Sequence, residues 1–214
     1  MRYLDHVSVA INLAKINYSP YGPEFSIIIN TFKPPKTINK LLQFLQTIAK
    51  FFSDQQIPYM LSGSMAMSIY TLPRATRDFD FVVHLQRKDV DALVQFFEHG
   101  YYCSADAVKD AIDRNSMFNI IDHASGYKAD FIILKNEPYR QTEFNRKRTI
   151  TFFGIPVYIV SPEDLLLSKL IWIQQIQSNL QLEDIKNLSE IETLDWEYIN
   201  DWIKELKLNK FNLF

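Results

Sequence analysis

Residues 61–83 read LSGSMAMSIYTLPRATRDFDFVV, and this stretch decides what the rest of the chain can be. An apolar run enters Gly63-Ser64, a helical segment leads to a turn at Pro73-Arg74, and the stretch closes on Asp78-Phe79-Asp80. Successive side chains of a strand point to opposite faces, so Asp78 and Asp80 project from one face about 7 Å apart. Phe79, Phe81 and Val83 point the other way, toward a core. Two carboxylates near a glycine, which lets backbone approach a ligand closely, suit a divalent metal and phosphates.

Working outward, Ile57 to Leu61 reads as a short buried strand, with Pro58 near its start where a missing donor is tolerated. Before it, Leu41, Leu42, Leu45, Ile48, Ala49 and Phe52 recur at helical spacing. After it, Phe79 to Val83 is a second strand, and Val90, Leu93, Val94 and Phe97 stripe a helix that Gly100 stops. Strands are expected at Tyr101 to Cys103, Met117 to Ile121 and Tyr127 to Leu134, with a helix over Ala105 to Arg114. A polar helix or loop from Tyr139 to Lys147 precedes a hairpin, Ile150 to Phe153 and Val157 to Val160.

The texture changes at Ser161-Pro162-Glu163-Asp164, a helix start with a serine cap, proline at the first position and acids against the dipole. Two more helices are expected, Leu182 to Ile191 and Asp195 to Leu206. The expected organisation is an N-terminal arm (1–36), an α/β core (37–160) and a C-terminal helical subdomain (161–214). The arm carries Pro20, Pro23, Pro34 and Pro35, which leave room for one edge strand at most.

The bulk numbers bound the class. A 214-residue chain that is 47% hydrophobic and 14% aromatic can bury a core and is not disordered. A net charge of −2 gives no global field for nucleic acid, so any such contact needs a local patch. Arg140, Arg146, Lys147 and Arg148 form the basic cluster, read either as a solvated face or as an RNA-backbone contact. The lone Cys103 excludes an internal disulfide framework and fits a reducing cytoplasm, and no apolar run is long enough to span a membrane. Trp172, Trp196 and Trp202 fall on helical stripes and are expected in the core rather than as stacking platforms for bases.

A third carboxylate, Asp130, opens the apolar run Phe131 to Leu134 much as Asp78 and Asp80 open theirs. If the two strands are neighbours, three acids converge at one sheet end and repel one another unless cations intervene. Two Mg²⁺ ions, or Mn²⁺ in their place, resolve the repulsion and make the geometry useful. The plainer alternative is that the acids pair with Arg74, Arg77 and Lys128, and the two arginines are equally suited to clamping phosphates.

Gly63-Ser64, then Arg74-x-Thr76-x-Asp78-x-Asp80, then Lys128-x-Asp130, resembles the DNA polymerase β-type nucleotidyltransferase superfamily. More narrowly the chain resembles the AbiEii-type toxins and related bacterial nucleotidyltransferases, whose C-terminal signature is similar to residues 161–170 and Asp184-Ile185. It departs from those relatives at Asn179 and Leu180, where they carry an acid and an arginine.

The resemblance implies an α+β fold, a mixed sheet packed with helices and followed by a helical subdomain. It implies a pyrophosphate-releasing transferase moving a nucleoside monophosphate from ATP or another NTP to a hydroxyl of RNA, tRNA or protein, with a cognate antitoxin as partner. A small-molecule acceptor, as for aminoglycoside-modifying relatives, and a non-catalytic nucleotide-binding regulator are the alternatives. Asp78, Asp80 and Asp130 would be catalytic and hold the metals. Gly63, Ser64, Arg74, Arg77, Lys128, Lys169 and Asp184 would line the nucleotide site, although Lys169 also suits a helix lysine that reaches to solvent.

Overall fold

The alternation that marks Asp78 to Val83 and Lys128 to Ile133 as strands also dictates how they pair. The computed structural model describes residues 36–71, 76, 78–152, 154–176 and 178–214. The expected arm therefore lies outside the described residues except for Lys36, as do Arg74 and Arg77.

Helix α1 (Lys36–Asp54) leads into β1 (Tyr59–Ser62), α2 (Gly63–Tyr70) and β2 (Asp78–Val83). A 3₁₀ turn, α3 (Val90–Phe96), β3 (Tyr101–Tyr102) and α4 (Ala105–Arg114) then cross to β4 (Met117–Asp122) and β5 (Lys128–Ile133). Helix α5 (Pro138–Asn145) and the hairpin β6 (Arg148–Phe152) and β7 (Ile155–Ile159) follow. The chain finishes on α6 (Pro162–Ile173), α7 (Asn179–Ser189) and α8 (Trp196–Glu205). Ser161 caps α6 by accepting a hydrogen bond from the Asp164 amide, as its sequence predicts.

The seven strands form one mixed sheet in the order β3-β4-β5-β2-β1-β7-β6. The central pair, β2 and β5, is parallel and in register from Asp78↔Lys128 to Val83↔Ile133. β1 joins β2 antiparallel and β7 parallel, so it links the central strands to the β6–β7 hairpin. The architecture is the α+β fold expected, with helices packed on a mixed sheet.

One sheet face is fully covered. Phe79, Phe81, Phe118, Phe131, Tyr59 and Val83 are all buried there. Phe131 lies between Phe81 and Phe118, with ring centroids 5.4 and 5.0 Å away and planes nearly parallel. Helix α1 seals this face by setting Phe44 against Phe79, and Phe52 against Tyr59 and Phe131. The other face carries Asp78, Asp80, Lys128 and Asp130 and stays partly open over β2 and β5. Burial of aromatic rings on one side thus fixes which side the acids occupy, because a slip of one residue would exchange the two sets.

The arginines of the basic cluster face acids of α5 and α6, although the Arg148 side chain is also 52% exposed. Arg140 donates to Glu143 and Ser168 at 2.8 and 2.6 Å, and Arg146 to Asp164 at 2.9 Å. Arg148 reaches Glu163 at 3.3 Å, and the Arg146 guanidinium stacks 3.8 Å from the Tyr198 ring. Glu143, Glu163 and Asp164 are buried acids, so these arginines serve as their counter-ions and tie α5, β6 and α8 to α6. Burial pushes the Glu143 carboxyl above its ordinary range, and Arg140 and Ser168 oppose that.

Trp196 and Trp202 do pack on the core, against Phe214 and Tyr139 respectively. Trp172 does not: it is 60% exposed, because its position falls on the outer side of α6. No described helix is long and apolar enough to cross a membrane.

Candidate active site

Parallel pairing of β2 with β5 places Asp80 directly beside Asp130, and Asp78 beside Lys128. Residues opposite one another across a pair share a face. The registers of β1 with β2 and of β4 with β5 extend that row at both ends. It runs Ser62, Asp80, Asp130, Asn119 across four adjacent strands. A second row, one pleat away, runs Asp78, Lys128, Ile121 and Tyr102.

Gly63 begins α2 immediately after Ser62, with φ +62°. Its left-handed backbone brings the Asp80 carboxylate against the Cα. A Cβ there would meet Asp80 Oδ2 at 1.9 Å and its Cγ at 2.5 Å. Ser64 follows in the first turn of α2, and its carbonyl accepts from the Ser68 hydroxyl at 3.0 Å.

Lys128 Nζ lies 2.7 Å from Asp130 Oδ2 and 4.0 Å from Asp78 Oδ2. The hydrogen bond to Asp130 raises the pKa of the lysine; burial works against it, and the charges of Asp130, Asp78 and Asp80 add to the rise. Asp130 is buried, and its other oxygen, Oδ1, has no hydrogen-bond partner among the described residues. Burial lifts the Asp80 carboxyl above its ordinary range, and the neighbouring Asp130 lifts it further. Lys169 pulls it back, Asp78 adds a smaller rise, and Lys128 a smaller fall.

Lys169 comes from α6, where it is buried rather than reaching to solvent. Its Nζ donates to Asp184 Oδ2 at 2.8 Å and to Gln181 Oε1 at 3.2 Å, both on α7. The C-terminal helices therefore deliver a cation whose charge is felt at Asp80. Gln181, Ser62 and Asn119 are members of this constellation that sequence reasoning missed. Only the pairing register, which no local pattern discloses, puts Ser62 and Asn119 in the row.

Whether the residues suit a divalent cation is a matter of donor chemistry. The three aspartates offer only carboxylate oxygens, the hard donors that Mg²⁺ and Mn²⁺ prefer. One buried oxygen has no partner, and the Asp80 charge is disfavoured by its surroundings, so a cation would relieve both. No three His, Cys, Asp or Glu side chains among the described residues stand in metal-ligand geometry as they are. Lys128 supplies the counter-charge between Asp78 and Asp130. The donor set fits a hard divalent ion, and binding one requires these side chains to move.

Comparison with known proteins adds a family and a fold. Residues 39–212 match the family described as nucleotidyltransferase of unknown function (DUF6036). No curated relative matches the sequence. The solution structure of antibiotic-resistance factor ANT(2'')-Ia superposes with a TM-score of 0.54 at 12% identity, covering 80% of this chain and 92% of that one. The crystal structure of ANT(2'')-Ia with adenylyl-2''-tobramycin gives 0.52 at 12% identity, covering 79% and 99%. The lincomycin-bound lincosamide antibiotic adenylyltransferase LnuA gives 0.49 at 17% identity, covering 71% and 96%. At these identities the likeness to ANT(2'')-Ia is one of fold.

Proposed function

The chain belongs to the family described as nucleotidyltransferase of unknown function (DUF6036), and we propose that it moves a nucleoside monophosphate from an NTP to an acceptor hydroxyl with Mg²⁺. The observation that carries this reading is the register that sets Asp80 beside Asp130, with Gly63 held against the Asp80 carboxylate.

In this reading Gly63 and Ser64, at the N-terminus of α2, receive the triphosphate, whose negative charge suits a helix start. Asp78, Asp80 and Asp130 would hold the metal ions, which would neutralise phosphate charge and lower the pKa of the attacking hydroxyl. The acceptor oxygen forms a bond to the α-phosphorus. The bond from that phosphorus to the bridging oxygen breaks, and pyrophosphate leaves with its electrons. Asp130 takes the hydroxyl proton. Lys169, oriented by Asp184 and Gln181, faces the phosphate charge. Lys128 releases its carboxylates and pairs with phosphate, while Arg74 and Arg77 are assigned to the phosphates from sequence alone.

The finer affiliation with AbiEii-type toxins, with RNA, tRNA or protein as acceptor and an antitoxin partner, belongs to this proposal too. So does a cytoplasmic location, for which the single Cys103 is the argument. A small-molecule acceptor, as in the tobramycin adduct of ANT(2'')-Ia, is the second reading, and it is favoured by the internal pairing of Arg140, Arg146 and Arg148.

The test is incubation with each α-labelled NTP, Mg²⁺ and, separately, total RNA, lysate protein and lysate small molecules. Label should appear in one fraction with the native protein and fall at least 100-fold with Asp78→Ala/Asp80→Ala. No labelling, and no NTP-induced shift in melting temperature, would rule out the transferase reading. Growth arrest on expression, relieved by the same double variant, would support the toxin role.

A further inference from the structure

We propose that Asn119, flanked by the exposed ring of Tyr102, recognises the acceptor, and that the acceptor is a small hydroxyl-bearing molecule with an apolar or ring face. This deepens the transfer reading above and rests on it. The argument starts from direction. The row Ser62, Asp80, Asp130, Asn119 spans three strand spacings, roughly 14 Å. Its Ser62 end adjoins Gly63 and Ser64, where the triphosphate and departing pyrophosphate are placed. Attack on phosphorus is in line, with the incoming and leaving oxygens on opposite sides. The incoming hydroxyl therefore approaches from the β5–β4 side, over Asn119.

The surface there suits an uncharged partner. Asn119 is half-buried and opposite Asp130, and its carboxamide has no hydrogen-bond partner among the described residues. A carboxamide both donates and accepts, which matches a hydroxyl. Next to it on the same face, Tyr102 of β3 is 48% exposed and Met117 of β4 52% exposed, and Ile121 of β4, opposite Tyr102, is half-buried. Strands β3 and β4 contribute no lysine or arginine to this face. Lys128, opposite Ile121 on β5, is engaged by Asp130 and Asp78. Among the described residues of β3 and β4, a polyanion such as RNA would meet apolar side chains and no cation for its phosphate backbone. A compact molecule would place its hydroxyl on Asn119 and its flat face on Tyr102 and Met117.

The experiment uses the full chain, α-labelled NTPs and Mg²⁺ with two probes, the sub-kilodalton fraction of a cell lysate and purified tRNA. Asn119→Ala and Tyr102→Ala are compared with the native protein. Asn119→Ser, which keeps one hydroxyl for hydrogen bonding, and the melting temperatures of all variants guard against loss of fold. The expected result is labelling of the sub-kilodalton fraction, with KM for that fraction rising about tenfold or more in both alanine variants. Binding of a non-hydrolysable NTP with Mn²⁺ should be unchanged, and Asn119→Ser should recover part of the loss. Labelling of tRNA instead, or alanine variants with native KM, overturns the assignment while leaving the transfer reading intact. No labelling of either probe by the native protein overturns the transfer reading and this inference together.

Discussion

Gly63 and Asp80 constrain one another at the scale of single atoms. A methyl group at position 63 would overlap the Asp80 carboxylate and would also have to tolerate φ +62°. Gly63→Ala should therefore lower stability by about 1–2 kcal/mol and abolish nucleotide transfer, which melting and labelling assays would separate. Asp80 itself should trade stability for chemistry. Because its carboxyl is raised in the folded state, its contribution favours the native state below the ordinary carboxyl range and is lost as pH rises through the raised value. In metal-free buffer at pH 8, Asp80→Asn should melt higher than the native protein, by about 2–4 °C for each ~1 kcal/mol relieved. The gain should shrink as pH falls through the raised pKa, and transfer should be absent throughout. The pair Asp78 and Asp80 was legible because strand alternation is local. Asn119 and Ser62 were not, because an asparagine or serine in a strand carries no mark until its cross-strand neighbour is known.

Among the elements, α6 is tied to its neighbours by buried polar side chains. Asp164 in its first turn is fully buried and accepts from Arg146 at 2.9 Å and from the hydroxyls of Ser161 and Tyr198 at 2.6 Å each. Asp164→Ala would leave a guanidinium and two hydroxyls without their acceptor. It should cost about 3 kcal/mol, toward the low end for a buried pair because Arg146 is partly exposed. Arg148→Ala, whose side chain is 52% exposed, should cost under about 1 kcal/mol. Comparing the two variants by chemical denaturation checks the contrast. Because α6 also carries Lys169, the Asp164 variant should lose transfer activity before it loses its fold. The existence and type of these elements could be read from Ser161-Pro162 and from the apolar periods. The partners of Arg140, Arg146 and Arg148 could not, since a run of basic residues looks the same whether solvent or buried acids face it. Trp172 was misjudged for a related reason: its helical spacing suits the stripe, but the side of α6 it occupies has no neighbour to cover it.

At the scale of the whole molecule, the α+β class and the strand list followed from sequence, whereas the strand order did not. Hydrophobic patterning tells which residues are buried and is silent on which strand lies beside which. Patterning gave the expectation that Asp130 joins Asp78 and Asp80 only on the condition that their strands are neighbours, and the resemblance to nucleotidyltransferases implied that condition. The sheet order has a further consequence for a chain made from its N-terminus. Strand β1 sits between β2 and β7, and Tyr70 hydrogen-bonds the carbonyl of Val160, 90 positions later. All three aspartates leave the ribosome well before β7, α6 and Lys169 do. A growing polypeptide thus carries its acids in an unfinished sheet, with one flank of β1 bare and no cation from α6. Such long-range closures come late and slowly. The sheet row that holds the acids is therefore flanked on both sides of β1, and reached by Lys169, only after α6 has been made.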